Sequence, residues 1–150
     1  MNHAGVLLAA VVAAAACTAS TVEMAATGRI AIPPLECTLE VPAGTEVTLV
    51  DDGATLITRP GTRVPRTLTI HARASAEPGE QRRVLAAGVS VGYTLRTNEG
   101  GSGGAQSVLA GDLWVGARRF AVTCDDQAEW PGSADATWCL VWLATLRLDD

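Results

Sequence analysis

A serine flanked by glycines is the first feature of this sequence that could carry out chemistry. Residues 100–104 read GGSGG and match the G-x-S-x-G pattern, in which the serine attacks a carbonyl carbon. Such a serine needs a histidine and an acid later in the chain, but His71 precedes it and no histidine follows. The surrounding residues instead predict a glycine-rich turn between two strands, so we assign Ser102 no catalytic role.

Metal, cofactor and nucleic-acid sites are also not expected. His71 is the one imidazole left if the N-terminal segment with His3 is removed, and alternation places it on the polar face of a strand. The four cysteines lack CxxC spacing, and the glycine motifs that bind nucleotides are absent. A chain of net charge -5 without lysine offers no basic stripe for phosphates, so nucleic acid is excluded as a partner.

Acidic residues are concentrated around Trp130, in the segment between Cys124 and Cys139. They are Asp125, Asp126, Glu129 and Asp135. This composition is typical of a solvated turn, but it also suits calcium ligation or a charged plug for a partner's basic groove. EF-hand spacing is absent, whereas tryptophan often anchors protein interfaces, so the plug is the stronger functional hypothesis.

The N-terminal residues predict export from the cytoplasm. An apolar run from Val6 to Ala16 is too short for a stable transmembrane helix but suits a signal-peptide core, so residues 1–16 are predicted to be removed. The small residues before Cys17 are similar to a bacterial lipobox, with Ala14 where leucine is usual, and Cys17 would then carry lipid. The alternative is plain cleavage near Ala16, Ser20 or Ala26. Residues 17–27 are small and polar and predict a flexible tether.

An oxidising destination makes disulfide bonds the default for the cysteines. If Cys17 carries lipid, we expect Cys124 to pair with Cys139, because these two bracket a single polar loop, and Cys37 to be a buried thiol. A bridge from Cys37 to either partner stays open at this point. A third interpretation treats all three as small core residues without a bridge.

Short β-type runs separated by glycine, proline and aspartate predict successive antiparallel strands from Gly28 onwards. The runs are 28–41, 46–50, 54–59, 66–73, 88–98, 105–115 and 117–124. Within 66–73, Leu68 and Ile70 point to one face and His71 to the other, which predicts one dry face and one polar face. The polar segment 74–87 is predicted to be a long loop with room for a short helix from Glu80 to Ala87.

A helix is predicted over residues 133–148, with Ser133 as its N-cap. Cys139, Leu143 and Leu146 share one face at helical spacing, so this stripe is expected to pack on the sheet. The fold class is therefore α+β, an antiparallel sheet packed against a C-terminal helix, in a single domain from residue 28 to residue 150.

Six arginines fall within one segment of the chain. They are Arg59, Arg63, Arg66, Arg73, Arg82 and Arg83. They suit ordinary charge on a sheet face and its loops, and also contact with an acidic enzyme surface or anionic lipid.

Three stretches carry a resemblance to a known family. They are YTLRTNEGGSGGAQSVLAGDLWV at 93–115, RRFAVTCDDQAEWP at 118–131 and TWCLVWLATLR at 137–147. Together with the lipoprotein-like signal, they resemble the periplasmic immunity lipoproteins of bacterial type VI secretion systems, which protect the producer from a muramidase effector. The resemblance spans roughly residues 28–148.

The resemblance implies a fold of the Mog1 and PsbP type, no enzymatic activity and no cofactor. It implies a toxin partner that hydrolyses the cell wall, and a periplasmic protein held on the outer membrane through Cys17. By position, the tips at 99–104 and 125–130 are expected to occlude the toxin's substrate groove. The candidate contact residues are Glu99, Ser102, Asp125, Asp126, Glu129 and Trp130. Two alternatives are an envelope lipoprotein that constitutively binds peptidoglycan or another envelope protein, and a small secreted hydrolase.

Overall fold

The computed structural model describes residues 20–23, 28–59, 64–76, 79–100 and 103–150. The predicted signal segment 1–16 and the lipidation site Cys17 lie outside the described residues, as does Ser102. Within the described ranges no helix has the length and apolar character needed to cross a bilayer.

Strands dominate the described part of the chain. The first six are β1 Ser20–Glu23, β2 Gly28–Ile32, β3 Cys37–Val41, β4 Glu46–Val50, β5 Gly53–Thr58 and β6 Arg66–His71. The others are β7 Gln81–Ala86, β8 Val89–Gly100, β9 Gly104–Val115, β10 Arg118–Ala128 and β11 Arg147–Leu148. One short α-helix, α1, spans Cys139–Leu143, and 3-10 turns span Pro33–Leu35 and Ala136–Trp138.

The strands form a large and a small antiparallel sheet. The large sheet has the order β1-β4-β5-β6-β10-β9-β8-β7, and the small sheet has the order β11-β3-β2. After β6 the chain crosses to the far edge of the large sheet, where β7 begins. It then returns through the hairpins β7–β8, β8–β9 and β9–β10, so that β10 closes against β6.

A single apolar core lies on one face of the large sheet. Alternation turns Leu68 of β6 and Phe120 of β10 inward, where Leu39 of the small sheet and Leu143 of α1 cover them. Full burial of each such side chain contributes about 1.5–3 kcal/mol to folding. The small sheet and α1 therefore cover the core. This confirms the α+β class, with an antiparallel sheet and a C-terminal helix.

The opposite face of the large sheet is polar. Register places Thr55, Thr69 and Thr123 directly opposite one another on three adjacent strands, with their side chains away from the core. The predicted dry and polar faces of β6 are thus both present.

Two predicted elements are wrong. Residues 74–87 are not a loop with a short helix, because Gln81–Ala86 forms β7, which pairs with β8. The predicted helix over 133–148 is reduced to a 3-10 turn and the five residues of α1. Asp135 caps the 3-10 turn by accepting a hydrogen bond from the Thr137 N–H at 2.9 Å. The last residues of the stretch are not helical but form β11, which pairs with β3.

Strand β1 lies inside the predicted tether. Ser20–Glu23 pairs antiparallel with β4, in a register that sets Ser20 opposite Leu49 and Glu23 opposite Glu46. Four residues of that segment therefore belong to the large sheet.

A buried carboxylate holds the crossover after β6 against the polar face. Asp112 of β9 accepts the Ser75 N–H at 2.7 Å and a hydrogen bond from Arg119 of β10 at 2.7 Å. Burial acts to raise the pKa of Asp112, but these hydrogen bonds outweigh it and leave the pKa below its usual value of 3.8. The charged form is therefore the one that the fold stabilises.

Substituting Asp112→Asn is expected to destabilise the protein by roughly 2 kcal/mol at neutral pH, because hydrogen bonds to a charged group are lost. Since the folded pKa is lowered, the contribution of Asp112 is fully present above about pH 4 and is lost as the pH falls through the folded pKa. Urea unfolding at pH 7 and near pH 3 checks this. If the free energies of unfolding of the natural protein and the Asp112→Asn variant differ as much near pH 3 as at pH 7, the assignment is wrong.

Candidate functional site

The two segments predicted to contact a partner lie side by side at one end of the large sheet. The β8–β9 hairpin ends with Gly100 opposite Gly104, and β10 runs alongside as far as Ala128, opposite Ala105. Gly104 has φ +92°, and a Cβ there would lie 2.3 Å from the Ala128 carbonyl oxygen. Glycine is thus required for the two segments to meet.

A cleft separates the hairpin from the loop that follows β10. We call it the tip cleft, and its volume is about 430 Å³. Its walls are Thr97, Gly104 and Ala105 on the hairpin side and residues 130–134 on the loop side. Trp130 stands at its rim with 73% of its surface exposed. A tryptophan so exposed is accessible to a partner, and tryptophan is a frequent anchor of protein interfaces.

A disulfide bond between Cys124 of β10 and Cys139 of α1 closes the loop at its base. Cys37 is the free cysteine of the described residues, and it lies buried in the core. Burial and the nearby Asp149 carboxylate raise the pKa of the Cys37 thiol to about 11, against a smaller opposing effect of Arg118. At neutral pH this thiol is therefore protonated, in the interior of the protein.

Asp126 is a structural residue rather than a contact residue. Strand β10 continues to Ala128, so its period of two turns Asp126 inward, where its side chain is 1% exposed. It accepts a hydrogen bond from Arg66 Nε at 3.0 Å and from the Asp135 N–H at 2.8 Å. A partner cannot reach this carboxylate in the folded protein, so the expectation that Asp126 contacts the toxin is corrected.

Asp125 points to the polar face instead. It accepts hydrogen bonds from the carboxamides of Gln106 at 2.7 Å and Gln127 at 3.3 Å, which hold its carboxylate beside the hairpin. Glu129, the residue before Trp130, is exposed. Asp125, Glu129 and Trp130 are therefore the predicted contact residues that reach the surface, Asp125 on the polar face of β10 and the other two after its end. Glu99 belongs to β8 at the base of the hairpin tip, and its side chain and Ser102 lie outside the described residues.

The loop on the other side of the cleft is fixed by side chains that sequence reasoning missed. The Ser107 hydroxyl accepts the Ala136 N–H at 3.0 Å, and Arg66 lies 5.7 Å from the centre of the Trp138 ring. Hydrogen bonds from the hydroxyl and N–H of Thr137 hold the pKa of Asp135 below its usual value. The sequence does contain a signal for the role of Arg66. It lies two residues before Leu68 in β6, so its side chain points to the same inward face, where an arginine requires an acidic partner.

His71 lies at the other end of β6, away from the tip cleft. Its Nδ1 is 3.0 Å from Asp52 Oδ1, and this hydrogen bond lowers the pKa of Asp52. Among the described residues, no group of three or more histidine, cysteine, aspartate or glutamate side chains could hold a metal ion.

Comparison with known protein families connects this chain to type VI secretion. A family model described as "Type six secretion immunity 3 domain" matches residues 38–147, which is more than half of the chain. The matched range includes both walls of the tip cleft, the disulfide bond and Arg66. No curated protein matches the chain significantly.

Proposed function

The chain belongs to the family of type six secretion immunity 3 domains, and from this premise we propose that it occludes a peptidoglycan-degrading effector in the periplasm. As a type VI secretion immunity protein, it has a protein effector toxin as its partner. The observation that carries the rest of the proposal is the exposed Trp130 at the rim of the tip cleft, on a loop fixed at both ends. In this proposal the protein works by covering the substrate groove and needs no catalysis of its own.

Fixation of the loop favours tight binding. The disulfide bond and the hydrogen bonds of Asp126 hold the loop before any partner arrives. Binding then does not have to order the loop, an ordering that costs about 0.5–1.5 kcal/mol for each side chain immobilised. A preformed anchor of this kind suits an inhibitor that must act before the toxin reaches its substrate.

Charge at the tip supports a positively charged groove as the target. Asp125 is partly exposed on the polar face of β10 and Glu129, next to Trp130 in the chain, is exposed, in a chain of net charge -5. Peptidoglycan carries carboxylates, so an enzyme groove that binds it gains from positive charge. Complementary charge accelerates association, most strongly at low salt.

The proposed location is the periplasm, with lipid attached to Cys17 as the anchor in the outer membrane. The apolar run before Cys17 supports this, and so does the disulfide bond, since such bonds persist in oxidising compartments. A fold of the Mog1 and PsbP type is part of the same proposal.

Substituting Trp130→Ala is expected to weaken binding of the effector at least ~30-fold, because buried tryptophans at interfaces contribute about 2 kcal/mol or more. Stability should change by no more than about 0.5 kcal/mol, since the side chain is exposed in the free protein. The effector is identified by pull-down among the products of adjacent genes, and affinity is measured by calorimetry.

Val141→Ala is the matched control, because Val141 is 72% exposed on α1 and does not line the tip cleft. It should leave affinity unchanged. Unchanged affinity in the Trp130→Ala variant would place the interface elsewhere. Failure to bind any lytic enzyme, together with binding to isolated cell wall, would favour the envelope-maintenance alternative.

A further inference from the structure

Strand β7 forms an open edge of the large sheet. It ends the strand order and pairs only with β8 within the described part of the chain. One side of its backbone therefore keeps N–H and C=O groups available to another strand. Its first four residues, Gln81 to Val84, are all exposed.

Two arginines on this edge have no acidic partner among the residues that the structure describes. Neither Arg82 nor Arg83 forms an ion pair with a described residue, although most of the other arginines near the sheet do. An arginine in such a position can bind a carboxylate with two parallel hydrogen bonds.

A tryptophan positions one of these arginines. The Arg82 guanidinium lies 5.1 Å from the centre of the Trp114 ring, and Arg119, which is bound to Asp112, lies 5.4 Å from it. The ring fits over Gly92, where a Cβ would come within 3.1 Å of it. Contact with an aromatic face restrains the guanidinium while its in-plane N–H groups stay available.

An apolar contact accompanies the charges. Val84 is 78% exposed, the largest exposure among the large apolar side chains of the described residues. It lines a cleft of about 440 Å³ together with Arg82, Arg83, Ser90 and Trp114. We name this surface, formed by Arg82, Arg83, Val84 and Trp114, the β7 edge.

We propose that the β7 edge docks an extended acidic segment of a partner protein, which adds to β7 as a further strand. Along β7 the side chains alternate, so Arg82 and Val84 share one face and Arg83 has the other. The matching segment carries a carboxylate opposite each arginine and an apolar residue opposite Val84. Its backbone pairs with the open edge, the mode of recognition known as strand addition.

Charge restricts what can occupy this surface. A second copy of the chain would bring its own Arg82 and Arg83 against these two, and like charges oppose such pairing. A membrane or another long polyanion would also face the rest of a chain with net charge -5. A short acidic peptide meets only the local positive charge, and unlike a membrane it supplies backbone groups for the edge.

This surface is separate from the tip cleft. Strand β7 pairs with residues 89–93 at the start of β8, whereas the tip cleft lies beyond Thr97, near the end of that strand. The inference therefore goes beyond effector occlusion and does not depend on it.

The test uses a short synthetic peptide built around Val-Glu-Glu-Val, which can place a glutamate opposite each arginine and a valine opposite Val84 in either strand direction. The full protein is used, and hydrogen exchange of the β7 amides is the readout. We expect exchange of these amides to slow about tenfold at low salt and less at high salt, because exposed charges are screened. The same peptide with lysine in place of glutamate should give no protection.

Charge reversal at Arg82→Glu with Arg83→Glu should abolish the protection, and the milder pair Arg82→Gln with Arg83→Gln should reduce it. The matched control is Arg73→Glu, another exposed arginine, which should keep full protection. The Trp130→Ala variant should also keep it, so this proposal and the proposed function fail separately. Protection by the lysine peptide, protection that survives charge reversal, or binding of phosphatidylglycerol vesicles without binding of the peptide would overturn the inference.

Discussion

Substituting Arg66→Ala is expected to lower the free energy of unfolding by about 3 kcal/mol, one of the two largest effects that the structure predicts. Asp126 is almost fully buried, and removal of its guanidinium partner leaves a negative charge in the core. Small domains are stable by only about 5–15 kcal/mol, so this loss is a large fraction of the total. Denaturation with urea, followed by tryptophan fluorescence, measures it.

Two further variants distinguish the loss of the buried ion pair from the loss of an arginine side chain in general. Arg59 pairs with Glu46 at the surface, and Arg59→Ala should cost less than about 1 kcal/mol. Replacing both buried partners, as Arg66→Met with Asp126→Leu, should recover part of the loss because no charge is then buried alone. A cost below about 1 kcal/mol for Arg66→Ala would mean that water reaches Asp126.

Removing the disulfide bond with Cys124→Ala and Cys139→Ala is expected to cost about 3 kcal/mol, the loop-closure entropy for residues 15 apart. The variant should also bind the effector less tightly, because the loop that carries Trp130 is no longer held at its base. Unfolding with and without reductant, and calorimetry with the effector, measure the two effects.

Cys37→Ala is the control for this prediction, because Cys37 is buried but unbridged. Its stability should still fall on addition of reductant, as that of the natural protein does, whereas the double variant should not respond. A natural protein that loses neither stability nor affinity on reduction would show that the loop is held by Asp126 alone.

Patterns that repeat along one strand allowed much of the fold to be predicted from the sequence. The glycine-rich hairpin between β8 and β9 and the two faces of β6 follow from local alternation, and the structure has both. The resemblance to type VI immunity proteins is likewise confirmed. Local patterns suffice for these features because each depends on neighbouring residues.

Features that depend on distant residues could not be predicted in this way. Strand β7 is exposed on both faces at Arg82 and Arg83, so no apolar alternation identified it. The polar character of residues 125–127 predicts a loop after Cys124, yet pairing with β9 extends β10 through Ala128. Because β10 continues through these residues, Asp126 is buried whereas Asp125 is partly exposed. This difference depends on pairing between strands and not on the local sequence.

The direction of β1 determines at which end of the large sheet the chain enters from its N-terminal side. Ser20 lies beside the turn between β4 and β5, and Glu23 lies nearer the tip cleft, so the chain enters the large sheet from the side remote from the cleft. With lipid on Cys17, the three residues to Ser20 would span at most about 10 Å. If Cys17 carries lipid as proposed, Trp130 therefore lies at the end of the large sheet farther from the anchor.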